Sequence, residues 1–390
     1  MPSSTSSSKT TADGGLAFER PGFVRLTASD RPGVAQPVPE RHIPDRRWGR
    51  IQLLALLLFA ALLGGWEIHW RNYGGTFCCR DSNGSWAAQR RRIDDGEGGA
   101  LVLIGSSRTL FDIQLPVWQE ATGERPIQLA LEGTSPVPIL EDLADDPKFT
   151  GRLVIGVAPE LFFSGFAARA DVIPYFHKER PSQRVGHWLS QHFIEPFFAF
   201  DNGDFALGKV IERQDWPLRP GTKRPNPIRR LAQSDADRNT QLWRKVETDA
   251  AYREMARGIW LDHLNGPPPP PMNTPEKVGA ILSSEIGKAA TAVAKLRQRG
   301  VKVVFLRLPS AGPYREWENR VYPRSQAWDR LLNETASPGI HFEDYPQMQG
   351  YILPEWSHLT HAEADRMTAA VAPLIEAAFA ESGTTPRGTP

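Results

Sequence analysis

Apolar positions are distributed along the chain in three distinct ways. The first is a single long run, residues 51 to 66, IQLLALLLFAALLGGW, in which only Gln52 is polar. At 1.5 Å per residue such a run covers roughly 24 Å, and snorkelling flanks extend it to the thickness of a bilayer core. Trp48, Trp66 and Trp70 stand where interfacial aromatics belong. The pattern predicts one transmembrane helix over 49–70. About fifty residues precede it and LLGGWEIHW has no small-x-small cleavage site, so it reads as an uncleaved anchor.

The second distribution begins at residue 100, where short apolar runs alternate with helical periods. LVLIG, 101–105, lacks alternation, as a parallel strand buried on both faces should. DIQLPVWQEATG then predicts a helix N-capped by Asp112 and closing near Gly123. IQLAL, 127–131, reads as a second strand, PVPILEDLADD as the next helix and RLVIGV, 152–157, as a third strand. Repeated strand-helix units predict an α/β fold: a doubly wound, mostly parallel sheet flanked by helices, with ligands at the carboxyl ends of its strands. After residue 275 come a helix closing at Gly300, the strand VKVVFLRLP, the helix SQAWDRLLNETA, the strand IHFEDY and a last helix, HAEADRMTAAVAPLIEAAFAE.

The third distribution is irregular. Residues 164–275 scatter aromatics among prolines, and this length predicts an insertion with helices of its own, such as 237–263, and a polyproline turn at 267–271. The expected organisation is a disordered cytoplasmic tail (1–48), the transmembrane helix (49–70) and a juxtamembrane linker (71–99). The α/β domain (100–378) follows with its insertion, and then a disordered tail (379–390).

Composition and charge narrow the function. A net charge of +1 over 390 residues provides no basic field for nucleic acid, so none is expected as a partner. Cys78 and Cys79 are adjacent, which predicts no disulfide framework, and no Cys/His cluster has zinc-ligand spacing. No metal or cofactor is expected. Arg41, Arg46, Arg47 and Arg50 precede the apolar run, against Arg71 and Arg80 after it; Arg90, Arg91 and Arg92 follow further on. This asymmetry predicts a cytoplasmic N-terminus and a domain outside the cytoplasm.

Candidate chemistry lies at the strand ends. Ser107 leaves the first strand, while LPEWSHLTHAEADRM puts Glu355 three residues before His358 at the start of the last helix. A hydroxyl nucleophile needs a base to take its proton and an acid to orient that base, and these three residues supply the set. Asp344 is the alternative acid; spacing favours Glu355. His361 reads as a capping or solvated residue, Glu160 as a cap, and Arg108 and Arg307 as surface or salt-bridging residues, or else as contacts to substrate or oxyanion. Trp188, Phe197, Phe198, Trp216 and Trp260 form either a sugar-stacking wall or a second small core, and the core is the expectation.

LIGSSRTL, with Gly105-Ser106-Ser107, resembles the first block of the SGNH (GDSL-like) hydrolases, and EWSHLTHAEA resembles their last block, Asp-x-x-His-Leu. LALEGTS is similar to the second block, whose glycine lends an N–H to the oxyanion hole; the resemblance assigns that role to Gly133, beside the Ser107 N–H. It covers about 100–163 and 276–378. The chain departs from the pattern at Ser106, at Glu355 and at Gly156-Val157-Ala158-Pro159-Glu160, where Gly-x-Asn-Asp would stand. Loss of one oxyanion donor commonly costs about 100- to 1000-fold in rate. These departures resemble the membrane-anchored branch that includes periplasmic proteins of alginate O-acetylation and teichoic-acid D-alanylation, which pair with a membrane-bound acyltransferase. The resemblance implies an esterase or O-acyltransferase of a bacterial inner membrane, facing the periplasm and acting on an envelope or exported polysaccharide. Lipid or thioester hydrolysis, or an inactive carbohydrate-binding or scaffolding component of an export assembly, are the alternatives.

Overall fold

Val, Leu and Ile in short runs build the sheet. The computed structural model describes residues 44–75, 78–214, 216–217, 219–222 and 230–381. The first 43 residues of the expected cytoplasmic tail and residues 382–390 of the terminal one lie outside these. The strands are β1 (Leu101–Ile104), β2 (Ile127–Gln128), β3 (Arg152–Gly156), β4 (Ala232–Ser234), β5 (Thr240–Leu242), β6 (Lys302–Arg307) and β7 (Gly339–His341). Five form one sheet in the order β2-β1-β3-β6-β7, every pair parallel, with Val102 opposite both Ile127 and Leu153.

Side chains alternate across this sheet with period two. Val102, Ile104, Leu153, Ile155, Val303 and Phe305 face one core, together with Leu140 of the helix Val137–Asp145 and Ile286 and Val293 of the helix Pro275–Gln298. Leu101, Leu103, Val154, Val304 and Leu306 face the other, against Trp118 of the helix Leu115–Thr122 and Met367, Val371 and Ile375 of the closing helix His361–Glu381. Helices therefore cover both faces, which is why these strands read as unbroken apolar runs. Each such side chain removed from water contributes about 1.5–3 kcal/mol.

The helix Trp48–Asn72 is long and apolar enough to cross a membrane. Its 25 residues measure roughly 38 Å. Two compact units divide the chain within it, after Ala61. In the first unit Leu53, Leu56, Leu57 and Phe59 are exposed. In the second, Trp70 is buried with Phe205, Leu242, Trp243 and Tyr252 in an aromatic core, and Trp66 packs on it.

Several elements differ from the sequence expectation. The span 71–99 is not a free linker: the helix Asn83–Arg92 buries Trp86, whose Nε1–H donates to Leu129 O at 3.0 Å, and Arg90, which pairs with Asp142 (3.0 Å) and Asp146 (2.7 Å). One tryptophan and an ion-pair cluster fix this helix, so it has no apolar stripe to read. Residues 237–263 are not one helix, because 240–242 pair with β4 in a hairpin and two helices follow, Arg244–Thr248 and Ala250–Asn265. The second strand stops at Gln128 and the last at His341. The terminal tail does not begin at 379, since the closing helix runs to Glu381 and buries Phe379. Cys78 and Cys79 are joined by a disulfide, with Cys79 at φ 60°. Adjacency limits such a bond without forbidding it.

Candidate functional site

Beyond Ile104 the chain turns through Gly105 and Ser106 into the helix Ser107–Asp112. A Cβ on Gly105 would sit 2.1 Å from Thr109 Oγ1, and one on Gly156, at the end of β3, 1.7 Å from the same atom. The two glycines leave a slot that Thr109 fills, so the helix starts hard against the sheet edge. β2 and β3 flank β1 on opposite sides. Strand order thus reverses at β1, and a crevice opens there at the carboxyl ends. Ser107, half-buried, is the first residue of the helix at that crevice.

Glu355 and His358 come together in the loop ahead of the closing helix. His358 therefore lies before that helix, which begins only at His361. Glu355 Oε1 accepts from the His358 backbone N–H (2.7 Å) and faces its Nδ1 at 2.8 Å. The other oxygen, Oε2, accepts from Trp260 Nε1–H. Both oxygens of a fully buried carboxylate are thus occupied. Trp356, at φ 72°, makes the bend between them; its carbonyl accepts from Ala311 N–H at 2.9 Å, and the Arg257 guanidinium lies 5.1 Å over its ring. A non-glycine residue in this region costs about 1–3 kcal/mol, which such contacts hold in place.

Electrostatics set the proton on this pair. Burial alone would raise the Glu355 carboxyl, but the His358 charge and the donors from His358 and Trp260 bring it below its ordinary value. Burial lowers the imidazole, and the adjoining Glu355 carboxylate outweighs that and raises it. With Nδ1 committed to Glu355, Nε2 is left as the acceptor. It is buried and has no hydrogen-bond partner. No hydrogen bond joins Ser107 to His358 among the described residues.

Three contacts fasten the Ser107 helix to the His358 loop. Arg108 Nε donates to Ser357 Oγ at 3.3 Å, the Phe111 ring lies 4.5 Å from the imidazole, and Leu359 N–H donates to Asp112 Oδ1 at 2.9 Å. Positions four apart share a helix face. Ser107 and Phe111 therefore share a side of this helix, and it is Phe111 that meets the imidazole. Asp112 is not the N-cap of the next helix, whose cap is Gln114; it ends the Ser107 helix and holds the histidine loop. Its carboxyl is pushed up to about 7 by burial, against the pull of His358 and the Leu359 N–H.

Gly133, at φ 61°, is exposed in the turn after β2, and Leu131 N–H donates to Gly105 O at 3.0 Å, joining that turn to the one carrying Ser107. Arg108 and Arg307 are buried, not on the surface, and share Glu318 through contacts of 2.8 and 2.7 Å. Burial depresses Arg307, with help from the neighbouring Arg108 charge, to about 10. Arg108 Nη2 is buried without a partner. Glu160 does not cap: it turns inward beside Arg108 and Tyr314, and burial raises its carboxyl. Asp344 is a bidentate partner of Arg324 at 2.7 Å, so Glu355 is the acid next to histidine. His361 is buried, not solvated: Glu247 takes its N–H at 2.7 Å and meets its Nδ1, and Gln233 meets Nε2 at 3.0 Å.

Trp260 belongs not to the small core but to the Glu355 pair, and Trp188, Phe197 and Trp216 are exposed. Its partner is 95 residues away, a separation no local motif encodes. No group of three or more His, Cys, Asp or Glu poised for a metal occurs among the described residues. No family model matches the chain, and no curated protein matches it. What the fold and site define is a class: an α/β protein with a mostly parallel five-stranded sheet and one helix of membrane-crossing length. It carries a buried Glu-His pair at the carboxyl edge of that sheet.

Proposed function

We propose that the protein is a serine acyl esterase or O-acyltransferase held in a bacterial inner membrane, its domain in the periplasm, acting on an envelope or exported polysaccharide. One observation carries this reading: the buried Glu355–His358 pair leaves Nε2 unpartnered, next to the helix that begins with Ser107.

In the proposed reaction Nε2 of His358 takes the Ser107 hydroxyl proton as Oγ attacks the acyl carbonyl. The N–H groups of Ser107 and Gly133 hold the oxyanion. Collapse breaks the bond to the leaving alkoxide, which receives the proton from His358, and an acyl-serine remains. A sugar hydroxyl or water then attacks, giving its proton to His358, and Ser107 leaves with that proton. A membrane-bound acyltransferase is a candidate donor partner, and the unpartnered Nη2 of Arg108 is a candidate group in place of the absent asparagine donor.

A second reading, an inactive carbohydrate-binding or scaffolding component, is favoured by the lack of a Ser107–His358 hydrogen bond. Release of nitrophenol from p-nitrophenyl acetate separates the two. The assay needs the full chain in detergent, because Trp66 and Trp70 belong to the aromatic core and truncation at residue 72 would remove them. Ser107→Ala and His358→Ala are each expected to lower the rate roughly 1000-fold or more. An intact protein no faster than either variant would leave the scaffolding reading.

A further inference from the structure

The helix Pro181–Phe193 is amphipathic in the opposite sense to an ordinary surface helix. Its polar side faces the protein: His187 packs on Gly84, where a Cβ would come within 2.9 Å of the ring, Arg80 Nη2 donates to Ser190 Oγ at 3.4 Å, and Gln191 Nε2 donates to Ala236 O at 3.0 Å. Its apolar side, Val185, Trp188, Leu189 and Phe193, is spaced as a helical stripe and stands exposed, and none of its residues is buried. Such a stripe normally faces a core. Phe197 and Ile211 in the chain that follows are exposed as well.

That following chain is tied to the end of the membrane-length helix. Trp66 Nε1 donates to Phe205 O at 3.0 Å, Arg71 Nη2 to Phe197 O at 3.1 Å, and Phe200 N–H to Glu67 Oε1 at 3.4 Å; the Trp70 and Phe205 rings lie 4.8 Å apart. A membrane crossed by this helix therefore reaches these residues at its surface. The stripe helix has no acidic residue, and Arg184, which pairs with Glu179 at 3.1 Å, and His192 stand exposed on it; a helix face free of negative charge suits anionic headgroups.

We propose that the exposed stripe of Pro181–Phe193, continued by Phe197 and Ile211, rests in the boundary between headgroups and acyl chains of the membrane crossed by the apolar helix. Its occupant is phospholipid, and the surface holds the domain against the bilayer at a second place besides the anchor. The inference rests on the membrane reading of that helix and is independent of the chemistry at Ser107.

Photocrosslinking of the full chain in vesicles of phosphatidylethanolamine and phosphatidylglycerol tests it. Benzoylphenylalanine replaces Leu189, Phe197 or Ile211, with Leu62 as the reporter of the anchor and exposed Glu316 as the aqueous control. The expected result is a mass shift of one phospholipid at the three surface positions and at Leu62, and none at Glu316. Lipid adducts at Leu62 alone would overturn the proposal while leaving the anchor intact. Crosslinked dimers without lipid adducts would assign the stripe to a second copy of the chain. Adducts at none of the positions would remove both the anchor and the proposal.

Discussion

Asp112 is the residue whose protonation most affects its surroundings. It is fully buried, one oxygen takes the Leu359 N–H and the other has no partner, so its charge is poorly solvated. Its folded value of about 7 lies above the ordinary 3.8. The folded chain thus binds more protons than the unfolded chain between these values, and stability falls as pH rises from about 4 through 7. Asp112→Asn keeps an acceptor for Leu359 and abolishes the fall, so its stability gain over the parent should grow with pH toward an upper bound of roughly 4 kcal/mol. Denaturant midpoints at pH 5 and pH 8 measure this difference, and parallel curves for the two proteins would refute it. The same substitution removes a negative charge that raises His358. A general base works when deprotonated, so the acid limb of kcat/KM for the parent should lie above the ordinary imidazole value and move to lower pH in Asp112→Asn.

At the scale of elements, the Ser107 helix depends on the slot between β1 and β3. Gly156→Ala would force a methyl to 1.7 Å from Thr109 Oγ1. The helix must shift to relieve it, with an expected cost of about 3 kcal/mol and, under the proposed function, a slower release of nitrophenol. Thr109→Ala in the same chain removes the obstructing oxygen, and a double-mutant cycle should return a favourable coupling of about 1 kcal/mol or more. Additive effects would mean that the helix does not sit in the slot. The helix Asn83–Arg92 shows the complementary case: it is docked by buried Trp86 and by Arg90 between two aspartates, although its sequence reads as a polar connection.

For the whole molecule, the last turns of the helix Trp48–Asn72 belong to the same compact unit as the α/β domain. The last turns of the helix contribute Trp66 and Trp70 to the domain's aromatic core, and the insertion supplies the rest of it. The insertion has a second task, since its helix Ala250–Asn265 delivers Trp260 to Glu355. With the proposed orientation, a reporter fused after residue 390 that works only outside the cytoplasm is expected to be active, following the arginine excess ahead of the apolar run; activity of a reporter that works only inside would reverse the orientation.

Elements whose signal is local can be read from the amino-acid order alone. The apolar run, the unalternating strands of a doubly covered sheet, the helix Pro275–Gln298 and the body of His361–Glu381 follow from the order of apolar and polar residues. The meeting of Glu355 and His358 was legible because the acid stands three positions before the base in one loop, and the place of Ser107 at a strand end was legible from the apolar run before it. Which distant segments meet is set by packing in three dimensions. The pairing of Trp260 with Glu355, Asp112 with Leu359, Arg108 with Glu318 and Thr109 with Gly156 brings together parts of the chain that are far apart in sequence. Such contacts depend on how helices pack on the sheet, and no spacing along the chain records them. The hairpin inside 237–263 escaped for the same reason: its strands are three residues each and their partner, not their composition, makes them strands.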